Sequence, residues 1–131
     1  MDEPETLPLR FIDAIGVAIV EYGNGASLLT LQVSDAHRNS HGAVHGGVLF
    51  TLADTGMGAA LYSLLAAGET GATVDARITY LRPVRGGSIE CRSTCLRQGR
   101  TVAMLESELW SDGEKVAKAS ATFAVRSPRG D

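Results

Sequence analysis

Asp54 is the only formal charge between Arg38 and Glu69, and it sits inside an apolar run that extends from Gly46 to Ala67. At about 100° per residue, a helix through this run places Gly47, Phe50, Met57, Gly58, Leu61 and Leu65 on the stripe that carries Asp54. An ionised carboxylate on an apolar face is costly unless it is hydrogen-bonded or put to work, and the work that desolvation prepares it for is that of a base. Two plainer readings compete: a structural cap or bridge, and a membrane span. A span would place Asp at a bilayer centre at a cost of about 3 kcal/mol, without a flanking Trp or Lys/Arg cluster to anchor it. The Gly and Ala content fits better with a soluble, fully buried helix that a sheet can approach closely.

The segment before this run, Asn39-Ser-His41-Gly42-Ala-Val-His45-Gly46-Gly47, supplies polar groups and flexible backbone. The first turn of a helix has unsatisfied N–H donors at the positive end of its dipole, so Gly46 can polarise a carbonyl and stabilise a developing oxyanion. Asn39 and His45 can add side-chain hydrogen bonds. Asp54 lies about two helical turns further on, roughly 12 Å away, too far for both groups to flank one reacting carbon. They would have to come from different subunits.

His37, His41 and His45 recur every four residues, the spacing of stacked metal ligands on a helix. Asn39, Ser40 and Gly42 argue against that helix, and no metal is expected. Cys91 and Cys95 fall in a strand-like segment, where residues four apart are about 13 Å apart on one face, beyond disulfide reach. Both are expected to be reduced packing residues.

These groups need a scaffold, and the 131 residues, 44% of them apolar, suit one domain with a buried core, residues 1–131, of which 1–15 form an N-terminal segment with a short helix. A net charge of −3 gives no global basic surface for nucleic acid. The start, Met-Asp-Glu-Pro-Glu-Thr, lacks the pattern of a secretory signal, so the cytoplasm is the default location. Periodicity predicts an amphipathic helix around Thr6 to Ile15, ended by Gly16, then strands Val17 to Glu21 and Ser27 to Val33 joined through Gly23-Asn24-Gly25. After the long helix come strands Ala72 to Leu81, Ser88 to Arg97, Thr101 to Ser111 and Lys115 to Val125, separated by Pro83 and Arg85-Gly86-Gly87, by Gln98-Gly99-Arg100, and by Asp112-Gly113. One helix apolar on most sides and about six strands ask for an α+β fold in which a curved antiparallel sheet wraps the helix. In Met104-Leu-Glu-Ser-Glu-Leu-Trp110 alternation sets Met104, Glu106, Glu108 and Trp110 against Leu105, Ser107 and Leu109; a face mixing apolar and charged groups is a candidate oligomer surface, and the sequence leaves open which face that is.

The run Asn39-x5-His45-Gly46-Gly47-x-Leu49-Phe50-x-Leu52-Ala53-Asp54 closely resembles the hotdog-fold acyl-CoA thioesterases of the phenylacetic-acid-degradation (PaaI-like) type. The likeness continues through Gly71-Ala-Thr73-Val-Asp75-Ala-Arg-Ile-Thr79-Tyr80-Leu-Arg-Pro83-Val and Gln98-Gly99-Arg100-Thr101, and so spans roughly Ile15 to Val125. The resemblance implies a hotdog fold and hydrolysis of an aryl- or medium-chain acyl-CoA, with Asp54 as general base or nucleophile and the Gly46 N–H on the thioester oxygen. It implies that Asn39 and His45 orient the carbonyl or leaving sulfur and that Thr73 helps to place the attacking water. It also implies a site shared between subunits of a homodimer at minimum, and of a homotetramer built as a dimer of dimers.

Coenzyme A would then be a substrate rather than a retained cofactor, since no Gly-rich phosphate loop is present. Its phosphates could be met by Arg82, Arg85 and Arg100, which lie near strand ends and loops, and its acyl group by Gly47, Phe50, Met57, Leu61 and Tyr62. Two rival classes share the fold: a non-catalytic acyl-CoA-binding module and a hydratase or dehydratase. The latter pairs a catalytic His with an acid in a different motif.

Overall fold

The computed structural model describes residues 9–128. The chain runs through α1 (Arg10–Ile15), β1 (Val17–Gly23), β2 (Ala26–Gln32), a 3-10 turn (Asp35–His37), α2 (Gly46–Tyr62), β3 (Thr70–Tyr80), β4 (Ser88–Gln98), β5 (Val102–Ser111) and β6 (Glu114–Arg126). The strands form one antiparallel sheet in the order β1-β2-β4-β5-β6-β3. Each strand agrees with its predicted range to within a few residues. The predicted start of α1, residues 6–8, lies outside the described residues.

Turn chemistry sets the hairpins. Asn24 and Gly25 take φ of 53° and 80°, and Asp112 and Gly113 take 52° and 76°. Positive φ at both central residues is the type I′ geometry whose twist matches that of paired strands, which is why Asn-Gly and Asp-Gly stand there.

α2 carries the chain from β2 to β3, which lies at the far edge of the sheet, so the helix crosses the concave face. Leu49, Leu52, Ala53, Gly56, Met57, Ala60 and Leu61 are buried against the strands. The expectation of a helix covered on most sides is corrected here. Phe50 and Tyr62 are exposed and Thr51, Asp54, Thr55 and Gly58 are half-buried, because the sheet covers one side of the helix and leaves the other open. The helix also stops at Tyr62 although the apolar run continues to Ala67, which removes Leu65 from the predicted stripe. Ser63 fixes that end: its Oγ donates to the Ala60 carbonyl and accepts the Gly25 N–H at 2.8 Å.

Beneath the middle of α2 the core is polar. Ser27, Ser93 and Ser107 are cross-strand partners on β2, β4 and β5, all buried, with Cys91 beside them. Ser27 Oγ donates to the Gly56 carbonyl (2.6 Å), Cys91 Sγ to the Leu52 carbonyl (3.3 Å), and Ser93 Oγ to Ser107 Oγ (3.0 Å). Burial pushes the Cys91 thiol up, and hydrogen bonds to Ser107 and Ser93 pull it partly back. Both cysteines are free.

Gly56 is what permits this approach. A Cβ there would lie 2.6 Å from Ser93 Oγ and 3.1 Å from Cys91 Sγ. Alanine would gain about 1 kcal/mol of helix propensity, but overpacking a closed, hydrogen-bonded site costs about 1–3 kcal/mol, and Ser93 cannot turn away without releasing Ser107. Gly56→Ala is therefore expected to lower the thermal midpoint by roughly 3–8 °C in a melting experiment. An unchanged or raised midpoint would show that the contact relaxes freely.

Alternation along β5 settles which face is which: Leu105, Ser107 and Leu109 are buried under α2, and Met104, Glu106, Glu108 and Trp110 lie on the outer face. There Lys115 pairs with Glu108 at 2.8 Å and sits over the Trp110 ring.

Candidate active site

The loop before α2 is held by its own side chains. His37 is buried: its Nδ1 accepts the Ser34 N–H, its Nε2 bonds the Ile15 carbonyl, and its backbone carbonyl accepts the His45 N–H. Asn39 Oδ1 accepts the N–H groups of His41 (2.9 Å) and Ala43 (3.2 Å), which closes the turn and leaves its amide NH2 without a partner among the described residues. His41 is exposed. The three histidines therefore go separate ways, and among the described residues no group of three or more His, Cys, Asp or Glu side chains is placed to hold a metal.

His45 is the N-cap of α2, with φ −60° and ψ 135°, and its Nδ1 accepts the Gly47 N–H at 2.8 Å. An accepting Nδ1 puts the ring proton on Nε2, so an exposed His45 presents an N–H donor. Because Gly47 spends its N–H on this cap, the open donor of the first turn is that of Gly46. Gly46 is covered on one side by Tyr80 at the end of β3, whose hydroxyl donates to the Gly46 carbonyl at 2.8 Å.

Asp54 lies eight residues further along the same helix, about 12 Å from Gly46. Thr73 Oγ1 on β3 donates to Asp54 Oδ1 at 2.7 Å, so one carboxylate oxygen is held and the other has no partner among the described residues. Phe50, Ala53, Asp54, Met57, Ala76, Arg77 and Ile78 line a narrow cleft between α2 and β3. The wholly apolar setting expected for Asp54 is corrected by the open side of the helix: the carboxylate is half-buried, with Met57 and Leu61 buried on its stripe and Gly47 and Phe50 exposed.

Within one chain, then, Asn39, His45, Gly46 and Gly47 form one group and Asp54, Thr73, Phe50 and Met57 another. The arginines divide similarly. Arg85 reaches the His41 carbonyl (3.3 Å) and accepts Arg38 on its own carbonyl, beside the loop. Arg82 is ion-paired with Glu114 (3.3 Å), and its N–H bonds the Val116 carbonyl. Arg100 sits in the β4–β5 turn next to Val125, at the opposite end of β6 from Val116 and roughly 30 Å away along the strand. The three arginines of one chain therefore do not form a single cluster. Tyr80 went unnoticed as a site residue because its contact to Gly46 spans 34 positions and no local pattern announces it.

Comparisons with known proteins place this arrangement. The model of the thioesterase superfamily matches residues 41–118, the stretch from the pre-helix loop to β6. The acyl-coenzyme A thioesterase PaaI of Escherichia coli K12 is 31% identical over 104 residues, which cover 78% of this chain and 71% of that protein. The structure of the conserved protein PA5202 from Pseudomonas aeruginosa superimposes with a TM-score of 0.86 at 32% identity, over 88% of this chain and 93% of that one. A hypothetical thioesterase from Streptococcus pneumoniae TIGR4, solved with coenzyme A, gives a TM-score of 0.80 at 28% identity over 88% and 91% of the two chains. The six-stranded antiparallel sheet around α2 is the hotdog fold, and the chain belongs to the thioesterase superfamily as a PaaI-like thioester hydrolase.

Proposed function

We propose that this protein hydrolyses an aryl- or medium-chain acyl-CoA to the free acid and coenzyme A, at a site that Asp54 of one subunit and Gly46 of another complete together. The observation that carries this reading is the Thr73–Asp54 hydrogen bond, which holds a half-buried carboxylate at the cleft of Phe50 and Met57. The Gly46 N–H and His45 Nε2–H receive the thioester oxygen, and the Asn39 amide adds a donor. Asp54 then takes a proton from water as the water attacks the carbonyl carbon; alternatively, it attacks directly and water cleaves the resulting anhydride. In both courses the C–S bond breaks, the thiolate leaves with a proton returned by the site or solvent, and the acid is released.

The β3 edge of the sheet supports a two-subunit site. Along β3 no residue is buried on either face, and Val74, at a bulge, is 65% exposed. An unpaired strand of this length is a template for a second copy. Antiparallel pairing of two β3 edges carries the end holding Thr73 toward the partner's end holding Tyr80, and so one Asp54 toward the other Gly46. It also brings a partner's Arg100 end toward the loop of Arg82 and Arg85, which supports joint recognition of the phosphates. The outer face of β5, with Met104 and Trp110 among charges, is our candidate for the contact between dimers.

The E. coli relative's name and the coenzyme A held by the S. pneumoniae structure support acyl-CoA as the substrate class. Thiol release from benzoyl-, phenylacetyl-, hexanoyl-, decanoyl- and palmitoyl-CoA tests the reading. Turnover of the aryl or medium-chain members is expected. Binding without thiol release across the panel would identify a non-catalytic module instead.

A further inference from the structure

We infer that Tyr80 is a positioning residue for the thioester-binding N–H of Gly46, an inference that rests on the role proposed above for Gly46. Two consecutive glycines open α2, and glycine has the largest backbone freedom to lose on ordering. An oxyanion donor is useful only when it is held in place before the charge develops. Something must therefore immobilise Gly46, and its own side chain cannot.

Two contacts grip the pair from different directions. His45 Nδ1 accepts the Gly47 N–H, and Tyr80 Oη donates to the Gly46 carbonyl, which fixes the rotation of the peptide that follows the donor. The ring lies so close that a Cβ on Gly46 would be 2.9 Å from Tyr80 Oη and 3.0 Å from Cζ. Glycine at 46 thus lets the Tyr80 hydroxyl close directly on the backbone, and the freedom glycine brings is limited by the same tyrosine. Tyr80 is half exposed at 51%, and its ring has no part in the core of α2, so the hydroxyl can be deleted without emptying a buried site. Thr73 on the same strand does for Asp54 what Tyr80 does for Gly46: β3 carries one strut to each reacting group.

Tyr80→Phe is expected to lower kcat roughly tenfold, less than the 10²–10³ typical of removing an oxyanion donor itself, with KM changed by less than about twofold. The thermal midpoint should move by no more than about 3 °C, since one exposed hydrogen bond is lost. A purely structural tyrosine would shift the midpoint and leave kcat in place.

A spectroscopic readout separates this inference from the reading beneath it. Benzoyl-CoA bound to Asp54→Asn, which should hold the thioester intact, is examined by isotope-edited infrared difference spectroscopy of its carbonyl, with and without Tyr80→Phe. The expected result is a band lowered from its free position in Asp54→Asn and returned part of the way in Asp54→Asn/Tyr80→Phe. A lowered band that Tyr80→Phe leaves unmoved would overturn the role of Tyr80 and leave that of Gly46 standing. A band not lowered in Asp54→Asn would overturn both.

Discussion

Asp54→Asn is expected to lower thioester turnover by at least about 100-fold while leaving the fold and the assembly intact. The amide is isosteric and its oxygen can still accept the Thr73 hydroxyl, so the side chain keeps its place beside Phe50 and Met57. What it loses is the capacity to take a proton or to attack a carbonyl carbon. The fold does not depend on the charge, because Asp54 is half-buried and has no ion-pair partner among the described residues. Steady-state thiol release, with circular dichroism and sedimentation to confirm structure, checks the prediction. Near-normal turnover in a folded variant would remove Asp54 from the mechanism. In the wild type, single turnover in oxygen-18 water tests for direct attack: label in the Asp54 carboxylate identifies an anhydride opened by water at the Asp54 carbonyl.

The second large effect is expected at the β3 edge of the sheet. Val74→Lys should convert the protein to monomers and abolish at least about 99% of turnover, since a lysine on an exposed edge opposes strand addition. With Gly46 and Asp54 about 12 Å apart on one continuous helix, a single chain cannot bring both to one thioester carbonyl. Val74 is 65% exposed in the protomer, so the lysine disturbs no core and the isolated chain should retain its secondary structure. Sedimentation velocity and thiol release on the same sample check both halves. A folded monomer with undiminished activity would contradict the shared site.

The sequence was legible wherever the physics is local. Alternation along β4, β5 and β6 and the Asn24-Gly25 and Asp112-Gly113 turns placed the strands closely, because side-chain period and positive φ are properties of neighbouring residues. The same reasoning overran the helix: apolar character continues to Ala67, but Ser63 closes the last turn against Gly25, a partner 38 residues away. The lone acid was visible as an oddity in an apolar run, and its open-sided surroundings were not, since they depend on which face of α2 the sheet covers. The serine rung under Gly56 and the hydroxyl of Tyr80 were missed for one reason: each bonds a helix carbonyl from another strand, and backbone acceptors leave no mark in a sequence. The three candidate arginines looked equivalent as loop residues, yet the strand order places Arg100 at the far end of the sheet from Arg82.

Whether Asp54 and Gly46 meet across subunits is decided by complementation between Asp54→Asn and Gly46→Pro. Proline is well tolerated at the first position of a helix, and the preceding His45, at φ −60° and ψ 135°, already has the extended geometry that proline demands of its neighbour, so the substitution removes the N–H and keeps the helix; its Cβ pushes the exposed Tyr80 ring aside, a disturbance confined to the half-site that has already lost its donor. Each variant alone should be nearly silent. Mixed by unfolding and refolding at equal amounts, half of the dimers should be heterodimers, each with one intact site, which predicts thiol release at about a quarter of the wild-type rate. A mixture as silent as its two parents, with heterodimers demonstrated, would contradict a site built from Asp54 of one subunit and Gly46 of the other.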